Sequence, residues 1–317
     1  MPTSRMLPLT LLALATTPLM GAQPSEDAGE KQAEQIERSK PQSLTLIARA
    51  GGSFQADADF DNDIGELSLS EYRAGLTALW NIEDAGRLTI DLSAALLDYD
   101  VTPSPTAVAG DSASIGAELD DIHQFGITAI YSDSLNDTTN WFLGGGIGFS
   151  GEDNADFGDS FDWLATGGFE YKQSDTLSIG VGVLIKSRLE DDVLIVPIPR
   201  INWTIDERWS LRTERAGLEL RYKHSDQLSY GVFGEYRSDS FRLDDTHAAA
   251  VDGMGTHRRI PVGMFADFKA SDRITIEAAA GAALGGELEF LDANGNDVSK
   301  QDLDPGIFGA ITVSFRF

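Results

Sequence analysis

The 317-residue sequence contains no cysteine. That excludes a disulfide framework and any thiolate metal or redox site. Basic residues are scarce as well: 24 Lys and Arg stand against 51 Asp and Glu, a formal net charge of −27. Nucleic acid is therefore not an expected partner, because displacing phosphate counterions needs an excess of cations. Past the N-terminus no apolar run approaches the ~18 residues that a membrane-crossing helix needs. These absences leave two classes: a soluble acidic protein, or a protein that crosses a membrane with strands.

The N-terminus favours export. Arg5 supplies a positive charge, Met6 to Met20 is apolar and uncharged, and Gly21 and Ala22 are small residues suited to cleavage. This pattern predicts a signal peptide over residues 1–22. Residues 23–42 are polar, carry no strand pattern, and are expected to form a flexible periplasmic lead-in. The remainder, residues 43–317, is expected to be one domain.

From Ser43 onward apolar residues recur at every second position, in runs of about ten, as transmembrane barrel strands require. Leu88, Ile90, Leu92, Ala94 and Leu96 form one such row. Phe161, Trp163, Ala165, Gly167, Phe169 and Tyr171 form another, and Leu177, Ile179, Val181, Val183 and Ile185 a third. Connectors alternate between short (173–175, 206–208, 270–273) and long and acidic (101–120, 150–159, 244–257). Barrels of the outer membrane separate short periplasmic turns from long external loops in this way. The pattern predicts an all-β, antiparallel, up-and-down transmembrane barrel of about fourteen strands, with twelve as the alternative. The count depends on Trp209–Tyr222, read as two short strands meeting near Arg215. In 67–80 the apolar parity shifts from Leu67 and Leu69 to Tyr72, Ala74 and Leu76, which predicts a β-bulge near Ser70–Glu71.

Lipid tolerates few charges, so the apolar rows must point outward and the opposite rows must line the lumen. The candidate lumen residues are Arg49, Arg73, Asp91, Glu170, Lys172, Lys186, Arg200, Arg221, Glu235, Arg237, Arg259, Asp267, Lys269 and Glu277. They mix both signs, so they either line a polar pore or pair and close it. Trp80, Tyr131, Trp141, Tyr171, Trp203, Trp209 and Tyr222 lie near strand ends, where aromatic rings mark the headgroup boundary.

Few motifs point to chemistry. Gly146 to Gly151 matches G-x-G-x-x-G, but no helix pattern follows, so dinucleotide binding is not expected. Asp57, Asp59, Asp61 and Asp63 place carboxylates at alternate positions, a weak candidate site for Ca²⁺ or Mg²⁺ in an external loop. The run fails the EF-hand pattern, since Asn62 and Ser68 stand where Gly and Glu belong. No other cofactor is expected. His247, Asp244, Ser238 and Ser240 crowd one stretch, but adjacency in sequence is poor evidence for a catalytic triad. No enzyme activity is expected, and an outer-membrane hydrolase is the least supported reading.

The chain ends in the apolar row Ile311, Val313, Phe315 and Phe317. With the signal segment, this row resembles the Gram-negative outer-membrane β-barrel proteins in the broad porin-like sense. The resemblance implies an outer-membrane location, contact with lipid and lipopolysaccharide, and insertion by the β-barrel assembly machinery, with Phe317 the key residue of the assembly signal. The stretch Val196–Trp203 followed by Trp209-Ser210-Leu211 looks similar to barrels known only as domains of unknown function. Two functions follow as expectations: a channel for ions or small polar solutes, or a non-conducting barrel serving envelope integrity or adhesion.

Overall fold

The structure, a computed structural model, describes residues 43–317 apart from 83–85, 106–118, 120, 188, 190–192, 215 and 248–249. The signal segment and the lead-in therefore lie outside the described residues. The strands are β1 (Ser43–Asp59), β2 (Gly65–Asn81), β3 (Arg87–Pro103), β4 (Ile122–Asn136), β5 (Thr139–Glu152), β6 (Phe161–Lys172), β7 (Leu177–Lys186) and β8 (Leu194–Thr204). They continue as β9 (Trp209–Glu214), β10 (Gly217–Lys223), β11 (Leu228–Glu235), β12 (Arg237–Arg242), β13 (Met254–Lys269), β14 (Ile274–Leu291), β15 (Asp297–Leu303) and β16 (Gly306–Arg316).

Neighbours in sequence pair antiparallel from β1 to β11; the ring then runs β11–β13–β14–β16 and closes on β1. Fourteen strands complete it. The doubtful stretch is two strands, with Gly217 opposite Glu214 at the tip of the β9–β10 hairpin. Closure of the ring pairs each strand with two neighbours, the arrangement that crossing lipid with strands requires.

The outer face follows from alternation. Leu143, Ile147, Phe169, Val181, Val232, Met264 and Ile311 are exposed around the wall, forming a lipid-facing belt. Trp80, Tyr171, Trp203, Trp209, Tyr230 and Phe268 ring its periplasmic end, the girdle position that amphipathic rings favour. The terminal row Ile311, Val313, Phe315 and Phe317 lies on this outer face, with β16 held between β1 and β14. A closed barrel with such a belt places the protein in the outer membrane.

Above the belt a second, narrower ring forms. β12 keeps the register of β11 on β13, from Gly234 opposite Val262 to Arg237 opposite Arg259. It then crosses to β5, where Arg242 pairs with Gly151. β15 pairs with the upper part of β14 and reaches β1 through the Phe60–Leu303 bridge and the Asp304 N–H to Asp59 carbonyl bond of 2.8 Å. The ring is thus β1 to β5 and β12 to β15. Strands β6 to β10 take no part.

A barrel this small fills with side chains, and this one does. Phe60, Leu67, Leu97, Ile122, Phe241, Leu243, Leu288 and Phe290 are buried in one cluster. Each contributes about 1.5–3 kcal/mol by leaving water. The cap closes the axis of the barrel with an apolar core.

The cap also corrects the expected bulge in β2. Register with β3 runs unbroken from Gly65 to Asn81; the irregularity lies in β1, between Gln55 and Ala58. Leu67 and Leu69 keep the inward parity of Glu71 and Arg73. They are apolar because they have risen from the lumen into the cap core.

Candidate functional site

The belt encloses a luminal cavity of about 700 Å³. Alternation on β1–β3, β9–β14 and β16 turns one row of each strand into it. Of the candidate lumen residues, Arg49, Arg73, Asp91, Arg221, Glu235, Arg237, Arg259, Asp267, Lys269 and Glu277 line this cavity. The other four lie elsewhere. Glu170 faces Arg200 at 3.5 Å, Lys186 holds Asp162 at 2.9 Å, and Lys172 pairs with Asp175 at 3.2 Å beside a periplasmic turn.

The cavity charges are arranged as pairs. Arg49 donates to Thr77 Oγ1 at 2.6 Å, and Thr77 donates to Asp91 at 2.5 Å. Arg221 joins Glu219 at 2.7 Å and also contacts Asp267. At the top of the cavity, Glu71 contacts Arg73 and lies 3.5 Å from both Arg237 and Arg259. Asp239 holds Arg259 at 2.9 Å, and Arg237 contacts Glu235. Alternating signs leave little net field, so the wall offers hydrogen bonds without strong selection for one sign of ion.

One part of the wall is apolar. Phe233 packs edge-on to Phe265 and Phe308, at 6.4 and 6.2 Å between ring centroids, and the Arg221 guanidinium lies 4.6 Å from the centre of Phe265. Sequence reading missed these three rings, although their parity opposite Val232, Met264 and Ile307 is a usable signal. It also missed Glu71, whose parity the supposed bulge obscured, and Asp239 and Arg212.

The wall formed by β5 to β8 differs. Phe142 lies against Gly168 and Gly182, where a Cβ would meet its ring at 2.8 and 2.9 Å. Arg200 stacks on the other side, 4.7 Å from the ring centre. The glycines there make room for an inward aromatic, as close packing against a backbone requires.

Above the belt, His257 is fully buried and its Nδ1 lies 3.3 Å from the Tyr99 hydroxyl and 3.0 Å from Arg259. Burial, helped by the Arg259 cation, pulls its pKa down to about 3. It is a neutral part of the cap. His247 stands 3.7 Å from Glu152, while Ser240 meets Thr256 at 3.1 Å. Asp57 and Asp59 end β1, and Asp61 and Asp63 sit in a 3-10 turn. Among the described residues no group of three His, Asp or Glu side chains is placed to hold a metal.

Residues 113–314 match a family model described as a domain of unknown function, DUF6268. No curated protein matches the chain. Among solved structures, the chain is similar to an outer membrane channel from Pseudomonas putida F1, with a TM-score of 0.44 at 10% identity over 88% of this chain and 97% of that one. It is also similar to a Pseudomonas aeruginosa FadL homologue, with a TM-score of 0.42 at 12% identity over 86% and 89%. A third is the outer membrane channel DcaP of Acinetobacter baumannii, at 0.37 and 11% over 87% and 97%.

Proposed function

Because the chain belongs to the DUF6268 family, whose function is unknown, we propose a function from its own geometry: a porin-like outer-membrane channel for small solutes. The observation that carries this reading is the luminal cavity of about 700 Å³, lined on one side by paired charges and on another by phenylalanines. Sites for small molecules have this size and this mixture of apolar wall with a few polar groups.

The test is conductance in planar bilayers. The intact chain is expected to give small steps, because the cap blocks the axis. A Phe290→Ala chain, with part of the cap core removed, is expected to give larger ones. Silence from both, with folding verified by heat-modifiable migration, overturns the channel reading and leaves a structural or adhesive barrel.

Assembly is proposed to depend on the terminal row. The Phe317 N–H donates to the Leu46 carbonyl at 2.9 Å and its ring lies exposed on the outer face. Deleting Phe317 is expected to lower the outer-membrane level sharply; unchanged levels on a blot of isolated membranes would remove this role.

A further inference from the structure

We propose that solutes reach the cavity sideways, through a portal in the wall between β8 and β12 above the β9–β10 hairpin. The portal admits small, largely apolar molecules with a polar end. The inference rests on the channel reading and adds the route and the solute class.

The wall is low at this point. β7, β8 and β13 each present five outward residues to lipid, about 27 Å along the strand at ~3.4 Å per residue. β9 presents only Trp209, Leu211 and Thr213, and β10 only Leu218, Leu220 and Tyr222. On its right the hairpin keeps level with β11 and β13, Leu218 opposite Gly234 and Gly234 opposite Val262; on its left β8 runs on through Pro199, Pro197 and Ile195, about 14 Å of strand beyond the last β9 contact.

The strand on its left is built for the break. β8 and β9 share three residue pairs, Asn202–Arg212, Trp203–Leu211 and Thr204–Ser210. At the next rung the strands have already parted: the Ile201 N–H donates to the Thr213 hydroxyl, at 3.0 Å. In an antiparallel strand every second residue directs its N–H to the same neighbour. The next two positions turned toward β9 are 199 and 197, and both are proline. Proline has no N–H to leave unpaired. A wall that ends inside lipid leaves backbone groups without a strand partner, and here the sequence removes two N–H groups in succession, so that only the Pro197 and Pro199 carbonyls face the opening.

The right edge ends as abruptly. The last bond between β10 and β11 is Tyr236 N–H to the Ala216 carbonyl, at 3.2 Å. Above it the chain leaves for β5 as β12, and Arg242 fastens the crossing to the Asp159 carbonyl at 2.8 Å. The crossing roofs the portal. The cavity reaches the hairpin side of this frame, since Glu214, Leu218, Gly234 and Tyr236 belong to its lining, while the inward Val196 and Ile198 of β8 are buried.

Chemistry of the frame sets the solute class. On the β8 side the outer positions are Ile195, Pro197 and Pro199, while Leu164, Leu184 and Ile198 form an apolar cluster on the inside. The opposite side offers Glu214, Glu235 and Arg237. A fully ionic solute does not partition into lipid to reach such an opening, and the filled cap denies it the axial route. A molecule with an apolar body and one polar end suits both sides.

The absence of native cysteine makes the test clean. Ala216→Cys, at the hairpin tip, is labelled on intact cells with a bulky biotin maleimide, and uptake of N-phenyl-1-naphthylamine, an apolar fluorescent amine, is followed. Blocking the portal is expected to lower the chain-dependent uptake rate about fivefold or more, as occlusion of a narrow pore should. The same label on Val298→Cys, on the cap exterior, is expected to leave it unchanged. A second variant guards against misfolding at the tip: Pro197→Val and Pro199→Val with four residues added after Glu214, which lets the hairpin pair to full height. It is expected to show the same loss. Uptake at the native rate in the labelled or the extended variant overturns the portal. If the Phe290→Ala chain conducts ions but the native chain gives no amine uptake above cells lacking it, the portal falls and the channel stands. If neither transports, both fall.

Discussion

The belt and the cap are built from the same strands with opposite patterns. In the belt β3 turns Leu92 outward and Asp91 inward; a few residues on it turns Asp98 and Asp100 outward and buries Leu97 and Tyr99. β2 makes the same exchange between Glu71 and Leu69 without a break in register. The solvent explains it. Lipid surrounds the belt, so the outside is apolar and the polar groups gather around the lumen. Water surrounds the cap, so the apolar groups gather inside. One alternation serves both because parity is fixed by the strand while the surroundings change along it.

The difference can be broken from either side. The largest effect is expected from Phe290→Ala, which empties part of the cap core at a cost of ~3–5 kcal/mol. Limited proteolysis should then cut the external strands while the belt keeps its resistance to SDS at room temperature. Loss of both together would mean that cap and belt unfold as one unit. Met264→Arg, at the middle of the outward row of β13 on the lipid face, is expected to cost ~2–4 kcal/mol, read as a lower urea midpoint in bilayers with the cap still resistant to protease.

A pH scan separates the two regions further. His257 belongs to the cap, above Ile260, the last outward apolar residue of β13. Its folded pKa of about 3 lies below its ordinary 6.5, so the unfolded cap binds a proton first. The stabilising effect is complete above pH 6.5 and is lost as pH falls from there toward 3. His257→Gln is expected to flatten the loss of protease resistance between pH 6.5 and 4.5; an unchanged slope would assign it to the carboxylates. The smallest effect is expected for Ser68→Leu on the water-facing side of β2, within ~0.5 kcal/mol of neutral. A large penalty in a lipid-free thermal melt would show that this face is covered.

Much of the fold was legible in the sequence. Rows such as Phe161 to Tyr171 and Leu177 to Ile185 have period two and nothing else competes with it, so strand, face and lipid contact follow together. The split of Trp209–Tyr222 was legible because a single strand there would have broken the alternation of direction. The candidate site was legible in part. Arg49, Asp91 and Arg221 could be placed by parity, but parity does not say which side chains share a cavity, and Glu170 and Arg200 face each other away from the one described. Glu71 was lost because Leu67 and Leu69 look like a slipped register when the cap is unknown.

The sequence by itself determined the strands, their outward faces and the direction of the chain at each turn, because these depend on neighbours two residues apart and on the solvent they meet. Only the tertiary structure decided that nine strand ends close into a filled cap while β9 and β10 stop short. Those features depend on strand lengths compared around a ring, and on which distant edges meet, as Arg242 meets Gly151. The prolines at 197 and 199 belong to both levels. Their missing N–H groups are plain in the sequence, and the tertiary structure supplies the edge at which those groups would have been unpaired.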